Sequence, residues 1–365
     1  MIEFTVDRRH VILGMGAAMI FPAMKARAGE NAFGERLAQL QKDGRVSGLH
    51  ALLVSRQGRT LFEYYGSGED QFWGQPLGTV TFGPTVLHDL RSVSKSIVGL
   101  LYGVALAEGK VPPPEAKLYD QFPQYADLAK ESGRERLTMA HVLSMTMGLE
   151  WDELTYPYGD PRNSEIRMEA APDRYRYILS LPIVQEPGVK WTYCGGATAI
   201  LGHLIAKGTG EKLTDYARRV LFDPLGLGPT DWSVDRTGEP RAASGGRMRP
   251  PDLLRVGQMV LANGAWQGKQ IVPADWLKRS TTPVVTIEGN RKYGWHWYIS
   301  AVAGGWLPHA ESTIEAIGWG GQRLFLVPGL DLAVAINCGN YSKPGIEQGK
   351  VVTALLAEVV LPSVA

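Results

Sequence analysis

An α+β fold is predicted by three observations. Runs rich in β-branched and aromatic residues lie near both ends of the chain, helical patterns fill the stretch between them, and a long apolar run, Ile97–Ala107, follows directly on Ser92-Val93-Ser94-Lys95. Strands at both ends with helices between imply an antiparallel sheet built from the N- and C-terminal segments. Helices flank that sheet, and a mainly helical domain is inserted into it.

The elements follow in order. Gly34–Leu40 starts a short helix. Gly48–Ser55 and Thr60–Tyr65 read as a hairpin across Arg56-Gln57-Gly58-Arg59, and the Ser92 helix then runs to Gly109. Pro112-Pro113-Pro114 breaks the chain before a helix-rich stretch. There Thr138 caps a helix that Gly148 stops, Ala197–Ala206 ends at Gly208, and Thr214–Leu221 ends before Asp223-Pro224. Asp252–Leu261 and Ala274–Arg279 complete the stretch. Strand character returns at Trp295–Val302, Arg323–Val327 and Leu332–Asn337, the last two joined by the turn Pro328-Gly329-Leu330-Asp331. A helix over 346–360 closes the chain. The predicted organisation is a sheet domain of residues 29–115 plus 285–365 and a helical domain of 116–284, with the seam between them the expected place for a site.

Residues 1–28 read as a targeting peptide. Arg8-Arg9 precede the apolar run Val11–Phe21, and Ala26-Arg27-Ala28 offers a small-x-small cleavage site. The run is too short to span a membrane. Its mild hydrophobicity and the charges before the cut resemble a twin-arginine signal, so export to a periplasm or beyond is expected. Cleavage would remove Glu3 and Asp7 together with Arg8, Arg9, Lys25 and Arg27, moving the net charge from +1 to −1.

With 38 basic residues against 37 acidic, the 365-residue chain has no field suited to nucleic acid or a membrane surface. Ten tryptophans among 43 glycines and 23 prolines suit a loop-rich protein with aromatic-lined surfaces. Cys194 and Cys338 lie far apart and are read as buried free thiols, although export would permit a disulfide. No CxxC or HExxH spacing is present, so neither metal nor other cofactor is expected, and the oligomeric state is not fixed by the sequence.

On a helix, Ser92 and Lys95 share a face one turn apart. Burial strips an ammonium of its water and favours a neutral amine able to take a serine proton, and the helix N-terminus stabilises developing negative charge. Two later stretches bear on the same chemistry. Tyr193, in Trp191-Thr192-Tyr193-Cys194-Gly195-Gly196, sits on a loop or first turn where a phenol near an ammonium can shuttle a proton; read alone it is equally a packing residue. Trp319-Gly320-Gly321-Gln322 precedes a strand, where glycines let backbone approach a ligand and an amide can face an oxyanion; read alone it is a glycine-rich turn.

This order, SxxK, then a loop tyrosine, then a small-residue triplet before a C-terminal strand, resembles the serine β-lactamase and penicillin-binding-protein superfamily. The closer likeness is to its class C-like branch of esterases and amidases, which includes the 6-aminohexanoate-dimer hydrolases. Leu137–Trp151, Leu221–Leu227, Met248–Gln258 and Tyr293–Trp297 carry the likeness further, over about residues 34–361. It implies a β-lactamase/transpeptidase-like fold, an acyl-enzyme on Ser92, proton transfer by Lys95 and Tyr193, and an oxyanion hole at the backbone amides of Ser92 and Gln322. Which of Lys95 and Tyr193 is the base stays open. Two departures matter: Gly195 stands where β-lactamases carry the Asn of Tyr-x-Asn, and Trp319-Gly320-Gly321 replaces Lys-Thr-Gly. Losing those carboxylate- and amide-binding groups favours a small ester over a β-lactam or D-Ala-D-Ala peptide, with a short linear amide as the rival. A non-catalytic binding protein is disfavoured because Ser92, Lys95 and Tyr193 are all present. Trp319, Gly320, Gly321, Gly195, Trp151 and Trp297 are the expected substrate-binding residues.

Overall fold

The computed structural model describes residues 28–303 and 307–364. The twin arginines and the apolar run of the expected signal lie outside the described residues. Strands β1 (Leu49–Arg56) and β2 (Arg59–Tyr65) form the predicted hairpin, turned by Gln57 and Gly58, both at positive φ as a two-residue hairpin loop requires. They complete an eight-stranded antiparallel sheet. Its order is 285–288, 291–293, 298–302, 311–318, 322–327, 332–338, β1, β2. The N- and C-terminal parts of the chain therefore meet one strand in from the β2 edge, where Leu52 lies opposite Ile336 and Val54 opposite Val334.

Period-two alternation divides this sheet between two cores. Ala51, Leu53, Ala333 and Ala335 face the helical side, whereas Leu52, Val54, Val334 and Ile336 face the terminal helices α1 (Ala28–Lys42) and 345–364. Both faces are covered, so β1 and the strand 332–338 read as nearly continuous apolar runs. Each fully buried Leu or Val contributes roughly 2 kcal/mol.

On the inner face lies α2 (Val93–Ala107), apolar all round and buried over nearly its whole length. Its glycines permit the close fit: a Cβ on Gly103 would fall 2.1 Å from the Trp276 ring, and one on Gly99 3.1 Å from His296. Along the chain follow α3 (Met139–Ser144), α4 (Ser164–Ala170), α5 (Arg174–Ser180), α6 (Gly195–Thr209), α7 (Leu213–Ala217) and α8 (Pro250–Leu261). Among the described residues, no helix is long and apolar enough to cross a membrane.

Several predicted bounds are corrected. The Thr138 helix stops at Ser144, because Met145 turns left-handed (φ 57°) three residues before Gly148. The strand expected from Trp295 begins at Tyr298, since His296 is also left-handed (φ 63°); its ring is held by Leu143 O at 2.8 Å and Thr198 Oγ1 at 2.9 Å. Helix α6 starts at Gly195, two residues earlier than predicted. A hairpin absent from the sequence reading, β3 (Ser67–Phe72) and β4 (Gln75–Thr81), turns at Trp73 and Gly74. Its strands are mostly exposed and rich in polar residues, so no apolar alternation marks them.

Candidate active site

The approach to α2 is a strained turn. Leu90 N donates to Gly246 O at 2.8 Å, Arg91 takes φ 48°, and Ser92 then occupies the helix N-cap without using its side chain as a cap. A left-handed residue other than glycine costs roughly 1 kcal/mol. Here the turn leaves the Ser92 hydroxyl without a capping role and available for chemistry. The next turn places Lys95 beside it: Nζ donates to Ser92 Oγ and to Ala243 O, each at 3.1 Å. Ser94 and Ser96 face elsewhere. Ser94 Oγ accepts from Gly246 N, and Ser96 Oγ donates to His296 O.

Tyr193 reaches the same point from the segment leading into α6. Its hydroxyl faces Ser92, and its ring centroid lies 4.8 Å from Lys95 Nζ. Burial and the nearby Glu153 charge hold this phenol well above the usual tyrosine range, so it enters chemistry protonated. The nucleophile, amine and phenol of the sequence reading are thus brought together.

Ser92 opens onto a cavity of about 490 Å³ whose walls include Trp73, Arg91, Tyr158, Ile166, Trp319 and Tyr341. Trp319 sits at the turn between the strands ending at Gly318 and starting at Gln322, with its indole Nε1 donating to Tyr341 O at 2.9 Å. Gly320 and Gly321 make that turn at φ 90° and 96°. Gln322 is fully buried, and its side-chain amide donates to Cys338 O and Trp319 O. Trp151 lines a neighbouring cavity together with Tyr193, and its Nε1 donates to Glu153. Trp297 is 1% exposed, packs in the main core and lines neither of these cavities. Gly195 is buried, its N–H donating to Glu153 Oε2 at 2.6 Å.

Two acids in this site had no signal in the sequence. Glu153 Oε1 stands 4.0 Å from Lys95 Nζ. Glu165, on α4, lines the Ser92 cavity, and its Oε1 accepts from Ser244 Oγ at 3.1 Å. Burial and the Glu153 charge push the Glu165 carboxyl up to about 8, so it holds its proton at neutral pH. An acid in a polar segment is normally read as solvated, which is why neither stood out. Cys194 and Cys338 are buried free thiols.

The fold also gathers His50, Asp70 and His88, three buried residues whose ligand atoms lie within 4.8 Å of one another. No sequence spacing signalled this group. His88 Nδ1 faces Asp89 O, so it carries the proton and donates, which leaves His88 Nε2 to accept from His50 Nδ1 at 2.9 Å. Arg247 pairs with Asp70 at 2.8 Å, supplying positive charge to the cluster.

Comparison with known proteins bears on the fold and the family. A family model described as Beta-lactamase matches residues 33–347. The chain is 25% identical over 336 residues to a 6-aminohexanoate-dimer hydrolase of Paenarthrobacter ureafaciens, covering 86% of this chain and 78% of that protein. It is 24% identical to a β-lactamase of Escherichia coli (strain K12), over 64% of this chain and 56% of that protein. Among solved structures, EstCE1, a hydrolase with promiscuous acyltransferase activity, superposes with a TM-score of 0.68 at 17% identity, covering 90% of this chain and all of that one (100%). A penicillin-binding-protein homologue from Caulobacter crescentus gives 0.65 at 16% identity, over 90% and 96% of the two chains. With its β-lactamase/transpeptidase-like fold and a family match over most of its length, the chain belongs to the beta-lactamase family of serine hydrolases.

Proposed function

We propose that this protein is an exported esterase acting on small esters through an acyl-enzyme on Ser92. The observation that carries the reading is the Ser92 hydroxyl hydrogen-bonded to Lys95, with Tyr193 packed beside that amine, at the edge of an aromatic cavity. Ser92 Oγ attacks the ester carbonyl as its proton passes to Lys95. Negative charge moves to the carbonyl oxygen, for which the backbone amides of Ser92 and Gln322 are the donors in this reading. The protonated Tyr193 then delivers a proton to the departing alkoxide, and the same groups activate water to release the acid.

Ester preference is supported by the cavity chemistry. Tryptophan and tyrosine walls offer apolar contact, and Trp319 stands where penicillin-recognising relatives place a cation. Esters also need less help in leaving than amides do. The likeness to the 6-aminohexanoate-dimer hydrolase favours a short linear amide as the second reading. The test is turnover of p-nitrophenyl butyrate, nitrocefin and a linear aminohexanoate amide side by side, together with fluorophosphonate labelling. Labelling of the wild type with butyrate turned over fastest is expected. Absence of labelling would sink the enzyme reading, and turnover of nitrocefin alone would overturn the ester preference.

A further inference from the structure

Acyl transfer as written uses Ser92, Lys95 and Tyr193 and leaves one buried charge beside them without a task. The Glu153 side chain is fully buried, in the segment between Trp151 and α4. Its Oε2 accepts from Gly195 N at 2.6 Å and from Trp151 Nε1 at 3.0 Å, while Oε1 accepts from the Tyr158 hydroxyl at 3.0 Å. Gly195 is the first residue of α6, so the carboxylate also sits at the positive end of that helix. Three donors and a helix N-terminus are a site for an anion, not for a neutral acid.

The amine it faces is that of Lys95, among the described residues the one nearby group on which a balancing positive charge can form. Lys95 Nζ donates to Ala243 O and lies 3.1 Å from Ser92 Oγ, the contact across which the serine proton passes. The carboxylate 4.0 Å away is beyond hydrogen-bond length but within strong charge contact. The other groups facing Glu153 stay neutral. Burial and the Glu153 charge raise Tyr158, Tyr193, Cys194 and Tyr293, and Glu165 keeps its proton. One anion therefore confronts one amine.

Gly195 belongs to the same arrangement. A Cβ there would lie 3.0 Å from Glu153 Oε2 and 3.5 Å from the Glu165 carboxyl carbon. The space that a side chain at this position would take is held by the Glu153 and Glu165 carboxyl groups.

We propose that Glu153 is the positioning carboxylate of a Ser92–Lys95–Glu153 relay, stabilising the ammonium that Lys95 becomes when it takes the Ser92 proton. The O–H bond of Ser92 breaks, an N–H bond forms on Lys95, and the Oγ–carbonyl bond forms as charge moves to the carbonyl oxygen. Glu153 stays ionised throughout, as the aspartate does in a Ser-His-Asp triad.

The inference rests on Ser92 and Lys95 acting as proposed above, so the experiment carries Ser92→Ala alongside. The readout is the ascending limb of kcat/KM against pH for p-nitrophenyl butyrate, with folding checked by near-UV circular dichroism. In Glu153→Gln the ammonium loses its counter-charge: the limb moves down by about one pH unit, and kcat falls between about tenfold and a thousandfold. In Tyr158→Phe the carboxylate loses a donor and bears more charge toward Lys95, so the limb moves up. Should Glu153→Gln not fold, the upward move in Tyr158→Phe carries the test. A limb unmoved in the folded variants overturns the relay while leaving Ser92 as nucleophile. Fluorophosphonate labelling or full activity in Ser92→Ala would instead overturn the reading on which the relay rests.

Discussion

Two buried polar clusters flank the turn at Leu90–Ser92, and they are built on opposite terms. In the His50–His88–Asp70–Arg247 cluster, the donors find acceptors. Burial holds both histidines down near 4, so they are neutral, and the Asp70 charge meets Arg247 and the Tyr341 hydroxyl. The Ser92 cluster instead opens onto a cavity and leaves Lys95 and Glu153 at 4.0 Å, close enough to attract and too far to hydrogen-bond. A satisfied buried network specifies and rigidifies a fold. A network that holds protons between groups that could each keep them is suited to moving those protons. The comparison therefore assigns stability to the first cluster and chemistry to the second.

The largest effect that would break this division is at the nucleophile. Ser92→Ala should lose about a thousandfold or more in kcat/KM, with a melting temperature within a few degrees of wild type. A large loss of stability would show that the serine is structural. On the other side, His50→Ala removes the donor to His88 and opens space beside Gly68 and Gly339, where a Cβ on either glycine would fall 2.4 Å from the His50 ring. Urea unfolding should show it destabilised by about 2–4 kcal/mol, with kcat/KM per folded molecule within a few-fold of wild type. A catalytic loss at unchanged stability would move this cluster into the machinery.

A smaller effect sharpens the picture through pH. Burial raises the Glu165 carboxyl from 4.5 to about 8, so the folded state holds this proton more tightly than the unfolded chain does. The stability this confers is complete below the unfolded value and is lost as pH rises through the folded one. Glu165→Gln cannot ionise, so its melting temperature should gain on wild type between about pH 5 and about pH 8. A difference that stays flat over that range would mean Glu165 is already charged at neutral pH.

Legibility differed between the fold and the site. Helix α2, the β1–β2 hairpin and the strands at 322–327 and 332–338 were visible because their apolar patterns are local and strong. The β3–β4 hairpin was not, although its Trp73 tip forms a wall of the Ser92 cavity, because exposed polar strands carry no alternation to read. Trp297 misled for a related reason: a tryptophan looks the same in sequence whether it lines a pocket or fills a core.

The sequence by itself determined the relation of Ser92 to Lys95, because a helix repeats every 3.6 residues and three positions suffice to place both on one face. It also determined the order of the motifs and hence the family. Only the tertiary structure decided what surrounds them: Tyr193 against Ser92, Glu153 at the α6 N-terminus facing Lys95, and Glu165 protonated beside it. Those groups come from segments far apart in the chain. Whether a carboxylate there is a solvated loop residue or a buried counter-ion depends on how α2 and α6 pack, and no local spacing encodes that.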